Sequence, residues 1–177
     1  DLFNLNINAK TLGSTISYDN ELLDIELIKS NLSLVNLLNK EFSLSNLFIS
    51  TKSIKLKDVI GFIRAIEKDN KTKLLILENF ISKGYLIADI SLNFNEQGKI
   101  KKDIKINGFV KDGSINLLNK MSIDKINFIF ETNDKDLNIN DLEFSYENLN
   151  FSSKKIQFIN KKKSFSIEGQ IDNNDFY

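Results

Sequence analysis

Apolar residues recur at every second position in short runs along most of this chain. Phe3, Leu5, Ile7 and Ala9 alternate with polar neighbours, then Leu12, Ser14, Ile16 and Tyr18, then Leu23, Ile25 and Leu27. The longest run is Leu86, Ala88, Ile90, Leu92 and Phe94, closed by Glu96-Gln97-Gly98 as a turn. Ile104, Ile106, Gly108 and Val110 come next; Lys111-Asp112-Gly113 reads as another turn, and Ile115 and Leu117 follow. Beyond them stand Ile126/Phe128/Phe130, Leu137/Ile139, Leu142/Phe144/Tyr146, Leu149/Phe151, Ile156/Phe158 and Phe165/Ile167. A period of two puts the apolar residues of a strand on one face. With turn residues about every eight to twelve positions, the pattern predicts roughly a dozen strands in an all-β, mainly antiparallel meander.

Two intervals break the alternation. Asp58 can cap an amphipathic helix in which Val59, Ile60, Phe62, Ile63 and Ile66 follow helical spacing and which ends near Asp69-Asn70. Residues 35–39 can form a shorter helical turn. The chain therefore reads as a single β-rich segment, with strands over 1–56, a helix over 57–70 and a strand meander over 71–177.

Between the apolar positions stand Asn4, Asn6, Asp24, Glu26, Asp89, Ser91, Asn93, Lys105, Asn127, Asn138, Glu143 and Ser145. Each strand thus turns one face to water and needs apolar cover for the other. A closed β-sandwich or a small barrel supplies that cover from within. A curled, elongated sheet forming an open hydrophobic groove leaves it to a guest. The chain has no Pro, where about 5% is ordinary, and Pro is one device that blunts sheet edges. Its absence favours a continuous sheet, including pairing with adjoining segments of the same chain.

Composition removes most chemistry. The 177 residues include no His, no Cys and no Trp. There is then no imidazole base, thiol nucleophile, disulfide or zinc site of the usual kind, and no enzyme activity, metal or cofactor is expected. Ile replaces Val (25 against three) and Lys replaces Arg (23 against one), as in strongly AT-biased coding, so motifs built only of Asn and Lys carry little weight. The 24 basic and 24 acidic residues cancel, which leaves no basic field for a nucleic-acid partner. The lysine clusters at 101–102, 154–155 and 161–163 read as solvated turns. No run reaches the ~18–20 apolar residues of a membrane span. Because the sequence opens on Asp1, it reads as a piece of a longer polypeptide whose targeting or anchoring element lies upstream.

Local motifs add little. Asp134, Asp136, Asn138 and Asn140 alternate like a calcium loop, but Ile139 stands where the loop needs Gly and Ser145 where it needs Glu. Alternating acids also describe the wet face of a strand. The seven glycines form no phosphate-cradling loop, and no Gly-x-Ser-x-Gly is present. Sequons at Asn31, Asn70 and Asn150 are what an Asn- and Ser-rich chain yields by chance.

Two stretches resemble the AsmA/TamB/YhdP group of large Gram-negative envelope proteins. Residues 31–56 (NLSLVNLLNKEFSLSNLFISTKSIKL) are similar to that group's strand, Leu-Leu turn and strand. From Gly84-Tyr-Leu-Ile-Ala-Asp through Ile106-Asn-Gly-Phe-Val-Lys-Asp-Gly-Ser-Ile-Asn-Leu117, the chain is similar to its recurrent glycine-bearing strand–turn–strand unit. The resemblance covers about residues 30–171 and implies a segment of a periplasm-spanning, bridge-like lipid-transfer protein. In it a hydrophobic β-groove shields phospholipid acyl chains between inner and outer membrane, and another part of the chain anchors it in the inner membrane. The groove lining would be Leu86, Ile90, Leu92, Phe94, Ile104, Ile106, Ile126, Phe128, Phe130, Ile139, Phe144 and Phe158. The alternative is a structural or adhesive β-repeat whose apolar stripe is a sealed core.

Overall fold

In a computed structural model, which describes residues 6–66, 70–101, 103–117, 121–133, 136–161 and 164–176, the chain forms one open, curled, antiparallel sheet. Its strands are β1 (Asn6–Tyr18), β2 (Glu21–Ser33), β3 (Leu44–Thr51), β4 (Ile54–Lys55), β5 (Ile81–Asn93), β6 (Lys105–Leu117), β7 (Met121–Thr132), β8 (Asp136–Tyr146), β9 (Leu149–Lys161), β10 (Ser164–Gly169) and β11 (Asp172–Asn173). The order across the sheet is β1-β2-β3-β5-β6-β7-β8-β9-β10, with β4 beside β5 and β11 beside β9. Edges β1 and β10 do not pair, so the sheet is neither a barrel nor, among the described residues, half of a sandwich. The expected all-β meander and open curled sheet are observed.

The strands are longer than the alternating runs suggested, because bulges join pairs of runs. Regular alternation steps by two; here it steps by three from Ile25 to Ile28, Val110 to Gly113, Ile123 to Ile126, Ile139 to Leu142 and Ser153 to Ile156. Left-handed backbone sits inside three of these steps, at Asp112 (φ 52), Lys125 (φ 54) and Asp141 (φ 47), and β5 has Gly84 (φ 134). Pairing registers shift beside them, between Lys83 and Tyr85 in β5, Val110 and Gly113 in β6, and Asp124 and Asn127 in β7. An inserted residue bends a strand and increases its twist. It also resets the alternation, so the apolar residues on both sides of the bend stay on one face. Repeated at neighbouring levels across β5–β8, the bulges crease the sheet and curl it. Lys111-Asp112-Gly113 is therefore a bulge within β6 and not a turn. Tight reversals occur instead at Asp19-Asn20 and Glu147-Asn148, where both residues have positive φ, the geometry of two-residue hairpins.

Among the described residues three α-helices interrupt the sheet, α1 (Leu34–Leu38), α2 (Leu56–Ile66) and α3 (Lys71–Phe80), and a 3-10 turn (Asn174–Phe176) follows β11. α1 confirms the short helical turn, with the Ser33 hydroxyl accepting from Asn36 N–H at 3.4 Å. α2 begins at Leu56, which puts Asp58 inside its first turn rather than at the cap, where a carboxylate still favours the helix dipole. The helix is predicted to end near Asp69-Asn70; residues 67–69 lie outside the described residues, as do Phe3 and Leu5, and Asn70 caps α3. α3 occupies the place where the meander was expected to begin; its run Leu74–Leu77 has no period that separates helix from strand. α2 packs across β1, β2, β4 and β5. Ile60 and Phe62 of α2 are buried, as are Ile54 and Ile25 in the strands it packs on, and Ile25 has no exposed surface. The lone arginine joins the helices, Arg64 Nε donating to Glu78 Oε2 at 3.1 Å.

Candidate functional site: an uncovered apolar face

Residues directly opposite in an antiparallel pair share a face, so the registers assemble this surface row by row. Leu86 lies between Ile54 and Val110, and Ile90 between Ile49 and Ile106. Leu92 faces Leu47. Phe128 faces Val110, and Phe130 lies between Gly108 and Ile139. Ile126 faces Gly113 across the crease. Ile139 faces Ile156, Phe144 faces Phe151, and Phe158 lies between Leu137 and Ile167. Phe94 bridges to Ile100 at the end of the row, with its ring 5.6 Å from that of Phe42. Ile104 lies just before β6 and is half-buried.

The structure thus brings the expected groove residues onto one face. Ile126 is buried and the other eleven are half-buried. Aromatic pairs lie along it, Phe128 with Phe130 at 6.3 Å and Phe144 stacked on Phe151 at 5.1 Å. Ile28, Leu47, Ile49, Ile54, Val110, Ile115, Ile123 and Ile156 belong to it as well. The three-residue step in the alternation is the signal that would have found Ile28, Ile123 and Ile156. From Leu86 through β9, no residue that the registers place on this face is charged.

α2 covers one end of the face and α3 touches β5 and β6. Over β7, β8 and β9 the described residues place no second sheet and no α-helix, and only the short 3-10 turn Asn174–Phe176 sits against β9. Aliphatic and Phe side chains therefore meet solvent along an open trough. Such a contiguous apolar surface marks a ligand groove or an interaction site.

The opposite face carries most of the polar side chains and a hydrogen-bonded network, although the row Ile87, Phe109 and Ile129 also lies on it and Asn138 Oδ1 there is buried without a hydrogen-bond partner among the described residues. Ser82 Oγ donates to Ser114 Oγ at 2.8 Å, Ser114 Oγ to Asp124 Oδ1 at 2.5 Å, and Ser122 Oγ to Asp124 Oδ2 at 2.7 Å. These bonds, Ser114's first and then Ser122's, hold the Asp124 carboxyl below its ordinary range against the opposing effect of burial, with Lys83 and Lys125 adding lesser contributions. A depressed carboxylate stabilises the fold above its unfolded pKa, and that contribution disappears as pH falls through the folded value. Asp124→Asn is thus expected to lower the melting temperature at neutral pH. The gap to wild type should close below the usual aspartate range, as read from paired melts across pH.

A cleft of about 510 Å³ beside this network is lined by Met121, Ser122, Asp124, Lys125, Ser145, Tyr146, Glu147, Asn148 and Asn150. It holds carboxylates, hydroxyls, amides and the Lys125 amine. Asp136, Asn138 and Asn140 lie along β8, and Asp134 falls outside the described residues. No group of three acidic side chains that could hold a metal ion occurs among the described residues.

No protein-family model, curated protein or solved structure matches the chain. Fold and face together define its class: an open β-trough with one apolar wall.

Proposed function

We propose that this chain is a segment of a bridge-like lipid-transfer protein of the AsmA/TamB/YhdP kind. In this reading it lies in the periplasm and is anchored in the inner membrane by another part of its chain. Its apolar wall shields phospholipid acyl chains moving between inner and outer membrane. The observation that carries the reading is the uncharged, half-exposed face running unbroken from β5 to β9. Exposing each methylene to water costs about 0.8 kcal/mol, so an acyl chain gains from continuous apolar cover while its head group stays wet at the open side. A wall without convergent polar groups holds chains without selecting one species. The uncovered face counts against the adhesive-repeat alternative, which needs a sealed core.

Photo-crosslinking from Ile106 and Phe128 in membrane extracts, together with native mass spectrometry of the purified chain, tests the reading. Lipid adducts are expected at both positions and not at Asn107 or Glu131, which pair on the opposite face. Phe128→Asp should strip the bound lipid, since it places a charge among acyl chains. A lipid-free protein, or equal labelling of both faces, would defeat the reading.

A further inference from the structure

Besides the trough wall, exposed apolar surface gathers on the two longer helices. Ile63 and Ile66 of α2 are 45% and 51% exposed, and Leu75, Ile76 and Leu77 of α3 are 48%, 48% and 44% exposed. The core side of α2 is already supplied by Ile60 and Phe62, so these five aliphatics are additional to what the fold needs. The Arg64–Glu78 pair links the two helices that carry them.

Lysines accompany the patch on and beside the same two helices. Lys71 and Lys73 open α3, and Lys57 lies in the first turn of α2. With Lys55 and Lys83, Lys57 lines a cavity of about 270 Å³ that also takes in Ser82, Gly84 and Tyr85. β5 runs on past its last pairing with β4 at Tyr85, which leaves this side of residues 81–84 without a neighbouring strand among the described residues. None of the five lysines has an acidic partner within ion-pair distance among the described residues, although Lys83 acts at longer range on the Asp124 carboxylate. Over residues 55–83, seven basic residues stand against four acidic ones, in a chain whose net charge is zero.

Exposed aliphatic side chains and lysines carried by the same two helices and the strand ends they join match the boundary of an anionic bilayer, where apolar groups enter the acyl region and ammonium groups meet phosphates. α2 alone spans about 16 Å and carries both chemistries, Lys57 at its start and Ile63 and Ile66 in its later turns. We propose that the α2–α3 pair docks on the surface of an anionic phospholipid bilayer, with the Lys55–Lys57–Lys83 cavity receiving a head-group phosphate. This extends the trough reading by giving its helix-covered end a membrane to face, but docking requires only the helices and their lysines.

Co-sedimentation with vesicles of phosphatidylcholine alone, or mixed equally with phosphatidylglycerol, is the test. Binding is expected to the mixed vesicles, weakening as salt rises. Leu75→Ser combined with Ile76→Ser should reduce it about tenfold. Lys55→Ala, Lys57→Ala and Lys83→Ala combined should reduce it tenfold or more, at about fivefold for each lysine near the surface. All five sites are exposed, so melting temperatures should hold. No sedimentation with the anionic vesicles, equal sedimentation with phosphatidylcholine alone, or undiminished binding by both variants would overturn the proposal. Binding of inorganic phosphate without vesicle binding would also overturn it, by reducing the cavity to a free-anion site. Phe128→Asp separates the two readings: it should lose co-purifying lipid and still sediment. A wild-type chain that sediments but carries no lipid would sink the trough reading and leave the docking surface standing.

Discussion

Replacing Ile25 with Ala is expected to lower stability by about 2–5 kcal/mol, the range for emptying a fully buried aliphatic site. Ile25 has no exposed surface, and its immediate cover is α2, lying across β2. The fully buried apolar set is small among the described residues: Ile25, Ile54, Ile60, Phe62, Ile81, Ala88, Val110 and Ile126. Most of the trough wall stays half-exposed, so little core remains to make up for a cavity under the helix. Against a total stability of ~5–15 kcal/mol, such a loss leaves the fold marginal. Urea denaturation followed by circular dichroism should show a clear fall in midpoint. Leu22→Ala is the matched control, since Leu22 is 59% exposed in the same strand, and it should change stability by no more than about 0.5 kcal/mol. Equal midpoints for the two variants would mean that α2 does not seal this site.

The trough wall was legible because period-two alternation survives within each run. Ile104 and Ile106, or Phe128 and Phe130, are put on one side by spacing alone. The joins between runs were not legible. Lys111-Asp112-Gly113 has the composition of a turn, and at that level of description a bulge with a left-handed Asp112 looks the same as a chain reversal. Only pairing to β7 on both sides of it, Val110 with Phe128 and Ile115 with Ile123, shows the strand continuing. Leu137/Ile139 and Leu142/Phe144/Tyr146 were separated for the same reason and are one strand, β8. Whether the wall is covered also lay beyond the sequence, because cover depends on where α2 lands and how far the sheet curls. α3 escaped notice because four consecutive apolar residues, Leu74–Leu77, fit a buried strand as well as a helix. Phe42 gave no sign that it would meet Phe94, since that contact depends on how α1 and the β3–β5 pairing place the two rings.

The crease itself leads to the other large expected effect. Gly84 has φ +134, and a Cβ built there would lie 2.6 Å from the Leu56 side chain and 2.9 Å from the Gly113 Cα. Leu56 can shift, being the end of a flexible side chain at the start of α2. Gly113 cannot, because its backbone is the neighbouring strand at its own bulge. That φ belongs to glycine almost alone, and holding another residue in such a region costs about 1–3 kcal/mol. Strain and collision together should make Gly84→Ala lose about 3 kcal/mol or more, read as a fall in urea midpoint. Gly13→Ala separates the two causes, because Gly13 also has positive φ (+64) but nothing lies within 4 Å of its Cβ position. It should cost only the left-handed penalty of about 1–2 kcal/mol. A Gly84→Ala loss no larger than that of Gly13→Ala would mean that β5 and β6 can separate at the crease at little cost. The bulges would then be a consequence of the curl rather than its cause. The larger loss would show that close glycine–glycine approach sets the bend, and with it the curvature of the apolar wall.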